Sequence, residues 1–269
     1  MAIWLGYIGA LFIGLVLGLT GGGGSILTVP VLVYIMNFNP VTAAAYSLFI
    51  VGTTSAFGTI QNFRKGIVEI KTAFVFAIPS FTAVFITRKF IVPVIPEIIL
   101  ENQSFVLTKN TFLMVLFAVV MFAAALSMLR KKKPESEISQ KRNIFLSIIK
   151  IILVGFLIGL IGAGGGFLII PALVFMAKLP MRKAIATSLL VISLNSLIGF
   201  AGDMSNFSMD WQFLAIFTFI AIVGIYLGIY LSKFSNETQL KKGFGVFILA
   251  MAVFILVKEL FMTPTVLKP

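Results

Sequence analysis

Ten apolar segments follow one another along this chain, at 3–19, 25–37, 41–60, 72–92, 111–129, 144–162, 166–177, 183–201, 211–231 and 243–261. Charged residues, Gly or Pro punctuate them. A helix needs about 17–25 apolar residues to cross the hydrocarbon core of a bilayer. Eight segments reach that length; the second and seventh, at 12 or 13 residues, do not. Soluble domains are about 45–50% apolar and about 25% charged. Here 59% of 269 residues are hydrophobic and 11% are charged. One soluble core cannot hide that much apolar surface. The chain therefore reads as an all-α polytopic membrane protein. The lipid bilayer is its first partner, and no length is left for a separate soluble domain.

The net charge of +12 does not indicate nucleic-acid binding, because the basic residues gather in a few loops between segments. His and Cys are both absent. Thiol nucleophiles, disulfides, Cys or His metal ligation and imidazole acid–base chemistry are excluded with them, and no cofactor is expected. No Lys or Arg precedes Arg64. Met1 to Leu19 is thus expected to be a retained first helix, since a secretory signal opens with a basic region.

The chain also repeats itself. Shifted by 141 residues, Gly14–Gly58 overlies Gly155–Gly199 without a gap, with 16 identities in 45 positions. The matches include Gly14/Gly155, Gly18/Gly159, Gly21/Gly162, Gly23/Gly164, Gly24/Gly165, Pro30/Pro171, Ser47/Ser188 and Gly58/Gly199. Shared apolar composition does not bring the rarer Gly and Pro into phase. Two repeats of five segments are expected, at 1–129 and 144–269, joined by a basic linker at 130–143.

An odd number of segments per repeat implies that the repeats are inverted, as in many secondary transporters. The charges agree. With both termini outside, the inner loops hold Arg64, Lys65, Lys71, Arg130, Lys131, Lys132, Lys133, Lys141, Arg142, Lys150, Lys178, Arg182, Lys183, Lys233, Lys241 and Lys242. The outer side keeps Arg88, Lys89, Lys109, Lys258 and Lys268, a split of 16 to 5 among 21 basic residues. That bias places the linker in the cytoplasm. No acidic or basic residue falls in the middle of a confident span; Arg64 and Asp203 lie at segment ends.

Both short segments follow glycine clusters, Gly21-Gly22-Gly23-Gly24 and Gly164-Gly165-Gly166. Segments 1–2 and 6–7 either both cross the membrane or form re-entrant hairpins; a glycine tip inside the membrane is favoured. Irregular backbone at that depth needs protein or water around it. The first N–H groups of a helix lack internal partners and sit at the positive end of its dipole. The two tips, meeting near the midplane, can thus present donors to a small anion. The expected substrate-binding residues are Thr20, Gly21, Gly22, Gly23, Gly24, Ser25, Ser47, Gly162, Gly164, Gly165, Gly166, Ser188 and Asn195. Thr20, Ser25 and Thr28 add hydroxyls at the first tip, where the second has Ile161, Gly166 and Ile169. The spacings Gly14-x-x-x-Gly18, Gly155-x-x-x-Gly159 and Gly224-x-x-x-Gly228 read instead as close helix packing. No Gly-Lys-Ser/Thr follows either cluster, so a nucleotide phosphate loop is not indicated.

The second copy, Gly155-Phe-Leu-Ile-Gly159-Leu-Ile-Gly162-Ala-Gly164-Gly165-Gly166-Phe-Leu-Ile-Ile-Pro171-Ala-Leu173 followed by Ala186-Thr187-Ser188-Leu189, resembles the TauE/SafE sulfite exporter family. The first copy runs Gly14-Leu-Val-Leu-Gly18-Leu-Thr-Gly21-Gly22-Gly23-Gly24-Ser-Ile-Leu-Thr-Val-Pro30-Val-Leu32, with Ala45-Tyr46-Ser47-Leu48. It differs in having Tyr46 where Thr is usual, and Ser25 where the second motif has Gly. The resemblance implies an inner-membrane permease for small anions, often sulfur oxyanions or organosulfonates. The function expected is secondary transport of such an anion by alternating access, with any coupling ion, H+ or Na+, left open. A passive anion channel is the alternative. An intramembrane enzyme is disfavoured: neither His-Glu-x-x-His nor Gly-x-Gly-Asp is present, and Phe200-Ala201-Gly202-Asp203 lacks the first Gly of the latter.

Overall fold

The computed structural model describes residues 2–102, 105–130, 144–204, 209–234 and 236–259. Ten helices form there, one for each apolar segment. They are α1 (Ala2–Thr20), α2 (Gly23–Ile35), α3 (Pro40–Arg64), α4 (Ile70–Val94) and α5 (Lys109–Leu129). After the linker come α6 (Ile144–Ile161), α7 (Gly166–Phe175), α8 (Met181–Asp203), α9 (Trp211–Leu231) and α10 (Glu237–Val257). Among the described residues, six are long and apolar enough to cross a membrane: α3, α4, α5, α8, α9 and α10. The basic linker expected at 130–143 lies outside the described residues except for Arg130.

Local chemistry sets many of the boundaries. Pro40 opens α3, where its missing N–H costs nothing, and Asn39 Oδ1 accepts from Val41 N–H at 2.9 Å. Asp210 caps α9 by accepting from Phe213 N–H at 3.0 Å, and Thr108 caps α5 through Thr111 N–H at 3.3 Å. Asn236 and Gln239 form a reciprocal capping box on α10. Two helices widen into π turns, α2 over Val31–Ile35 and α4 over Thr87–Ile91. A short antiparallel hairpin, β1 (Ile98–Asn102) and β2 (Phe105–Thr108), links α4 to α5. The sequence carries no obvious sign of it: Glu97-Ile-Ile-Leu-Glu101 lacks the alternation of a half-buried strand.

Two of the packing interfaces rest on Gly-x-x-x-Gly pairs. Gly14 and Gly18 of α1 lie against the carbonyls of Ala221 and Ile225 on α9, and Gly224 and Gly228 lie against the carbonyls of Leu11 and Leu15. Gly155 and Gly159 of α6 meet the carbonyls of Ser80 and Val84 on α4 in the same manner. Small residues let helix backbones approach this closely, so the three Gly-x-x-x-Gly spacings are packing faces. Helix α3 packs on α8 at Gly52, which meets Leu197. Helix α5 packs along α10 through Phe117, Met121 and Met128 with Phe244, Ile248 and Ala252.

Candidate functional site

The two glycine turns meet in the interior. Gly21 and Gly162 each adopt positive φ, +73° and +71°, a region open to glycine at little cost. Gly21 lies against Ile185 near the start of α8, and Gly162 against Ala44 near the start of α3. The turns then run inward. Gly164 reaches Val51 and Gly166 reaches Ile192, the middles of α3 and α8. There the backbones touch: a Cβ built on Gly22 would stand 2.6 Å from the carbonyl of Gly166. The starts of α2 and α7 are thus in contact.

The first turn uses its hydroxyls internally. Thr20 Oγ1 donates to Val16 O at 2.7 Å and accepts from Gly23 N–H at 2.9 Å. Ser25 Oγ donates to Gly22 O at 2.6 Å, and Thr28 Oγ1 to Gly24 O at 3.0 Å. Ser188 Oγ donates to Gly21 O at 2.9 Å. Its sequence counterpart Ser47 is fully buried with no partner for Oγ, on the face of α3 that carries Ala44 and Val51. Asn195 turns Oδ1 to Ser80 Oγ on α4, at 2.9 Å, and leaves Nδ2 unpaired. Thr54, Ser55 and Ser196 are also buried with unpartnered hydroxyls. Such groups each cost about 1–3 kcal/mol. In a protein otherwise built from apolar helices they mark α3 and α8 as the polar axis.

A cavity of about 230 Å³ opens beside the first turn. Its floor includes Gly18, Ile185 and Ala186, and its mouth carries the exposed side chains of Lys65, Arg182 and Lys233. Burial, with the Lys233 charge, lowers the Lys65 pKa from the ordinary lysine value. Lys65 follows α3, Arg182 sits in the first turn of α8 and Lys233 follows α9, three places far apart in sequence. The charge split expects all three on one side, but a cavity enclosed between them is not visible in the sequence.

One feature departs from the sequence reading. Arg88 stays inside the α4 span, in its π turn, and is fully buried. Its Nε donates to Asp203 Oδ2 at 2.7 Å, and Nη2 donates to the same oxygen. Asp203, 115 residues away at the end of α8, is 1% exposed. A charge buried this way persists only when paired, and hydropathy of one segment cannot register a partner on another.

The family model for "Sulfite exporter TauE/SafE" matches residues 7–255. The chain belongs to the sulfite exporter TauE/SafE family. Curated relatives agree in kind. A "Probable membrane transporter protein" of Xylella fastidiosa strain 9a5c is 31% identical over 251 residues, 91% of each chain. The "Probable membrane transporter protein YunE" of Bacillus subtilis is 26% identical over 228 residues, 76% of this chain and 78% of its own. "Probable membrane transporter protein MJ0441" of Methanocaldococcus jannaschii is 32% identical over 114 residues, 39% of this chain and 43% of its own. No solved structure matches the chain. With six long apolar helices, this TauE/SafE member is a multi-pass membrane protein of a transporter family. Tyr46, its departure from the usual Thr, has a structural part: the hydroxyl accepts from Asp210 N–H at 2.9 Å and the ring packs on Phe38 and Phe213.

Proposed function

We propose that the protein is a secondary transporter that moves a small anion, a sulfur oxyanion or organosulfonate, by alternating access between two inverted halves. The observation that carries this reading is the contact of the two glycine turns at the middle of α3 and α8. Partner exchange between the halves supports a two-fold relation. Shifted by 141, the pairs Gly14–Ala221, Gly18–Ile225 and Gly21–Ile185 become Gly155–Ser80, Gly159–Val84 and Gly162–Ala44, and all six contacts occur. The closeness of Gly22 and Gly166 favours alternating access over an open pore, because the path is blocked at that level.

The substrate site in this reading comprises Thr20 to Ser25, Gly162, Gly164 to Gly166, Ser47, Ser188 and Asn195. The cavity of Lys65, Arg182 and Lys233 is the inner vestibule that gathers the anion. A thermal-shift screen of purified protein against sulfite, sulfate, thiosulfate, sulfonates and carboxylates tests it, followed by flux into proteoliposomes. Stabilisation by none of them, with no gradient-dependent flux, defeats the proposal; flux independent of proton and sodium gradients points to a channel.

The vestibule has its own expected results. Replacing Lys65 and Lys233 together by Gln should slow capture from that side by roughly tenfold at low ionic strength, and less in salt. Capture should also weaken with rising pH through the lowered Lys65 pKa, below the pH at which an ordinary lysine discharges. Stopped-flow binding across pH reads both effects. Sidedness is checked with single cysteines, which a Cys-free chain accepts without background. Cys at Glu97 should react with an impermeant thiol reagent in intact cells, and Cys at Lys178 should not. The opposite pattern inverts the assignment of sides.

A further inference from the structure

We infer that Arg88 is the cationic ligand of the transported anion, acting at the second glycine turn together with Ser196. This rests on the anion-transport reading above and places its charged ligand. Arg88 has more donors than Asp203 uses. Nε and Nη2 go to one carboxylate oxygen, whereas Nη1 is buried with no partner. That nitrogen points at the turn: a Cβ on Gly162 would stand 3.1 Å from it. From another direction Ser196 Oγ, fully buried and also unpartnered, would stand 3.0 Å from a Cβ on Gly164. The two turn residues are two positions apart, so their Cα atoms are within about 7 Å. An oxyanion held at the turn is in position to take a hydrogen bond from each of these two side chains.

The first turn offers less. Thr20, Ser25, Thr28 and Ser188 all donate to backbone carbonyls, and Thr20 also takes up the N–H of Gly23. The second turn has no hydroxyl of its own, yet two buried donors from α4 and α8 converge on it unsatisfied. An arginine donor to an oxyanion is charge-assisted and its planar fork suits sulfonate, sulfite or carboxylate oxygens. Asp203 is then the resident counter-ion that holds Arg88 in place, and it repels the anion that Arg88 attracts.

The test measures sulfite and sulfate affinity of the purified full-length protein by calorimetry, with thermal unfolding monitored in parallel. Arg88→Gln combined with Asp203→Asn removes both charges and keeps a hydrogen-bonding pair of similar shape. It should fold and lose at least about tenfold in affinity. Ser196→Ala should weaken binding severalfold at unchanged stability. Wild-type affinity in the folded double variant overturns the inference and leaves the transport reading standing. Absence of anion binding by the wild-type protein overturns both. If the double variant does not fold, Ser196→Ala decides: unchanged affinity in that folded variant rejects the site.

Discussion

Arg88→Met is expected to leave little folded protein, and Asp203→Asn in the same chain is expected to restore much of it. The single change strands a carboxylate that is 1% exposed with no cation beside it. Removing one member of a buried ion pair costs about 3–5 kcal/mol, a large fraction of the about 5–15 kcal/mol that holds a typical domain together. The second change replaces the stranded charge with a neutral amide and removes most of that penalty. Size-exclusion profiles and unfolding temperatures in detergent read the result. Equal yields of Arg88→Met and wild type would show that Asp203 is compensated by another route.

Gly14→Val is expected to be as damaging, for a steric reason. A Cβ at Gly14 falls on the carbonyl of Ala221, and Gly18 has the same relation to the carbonyl of Ile225. Both obstacles are backbone, so neither can rotate away, and α1 must separate from α9 along its length. Overpacking a core typically costs about 1–3 kcal/mol; here the loss extends to every contact that depends on the close approach. Expression and monodispersity should fall sharply. Gly164→Ala makes the useful contrast. Its Cβ meets the side chains of Val51 and Ser196 rather than backbone, at a φ of +67°. Left-handed backbone costs a non-glycine residue about 1–2 kcal/mol, so the variant should fold with reduced stability and bind sulfite poorly. Normal flux by a folded Gly164→Ala protein would assign the second turn to structure and place the anion elsewhere.

The ten helices, their punctuation and the glycine packing faces were legible in the residues themselves. Hydropathy sums the preference of each side chain for lipid over water, one residue at a time. Small-residue spacing records how near two helices can come. The repeat even made the helix partners legible in principle, since each contact of Gly14, Gly18 and Gly21 recurs 141 residues later. What the chain does with its polar groups was decided only in three dimensions. Thr20, Ser25 and Thr28 looked like free hydroxyls at the first turn, but helical backbone beside them offered carbonyls first. Arg88 counted only as a charge of the outer side; Asp203 makes its burial inside a span tolerable, and only the packing of α4 against α8 brings that partner to it. The cavity of Lys65, Arg182 and Lys233 likewise exists because the end of α3, the start of α8 and the end of α9 converge. The free energy of an apolar residue depends mainly on its own surface, whereas that of a buried donor or charge depends on which group the fold sets against it.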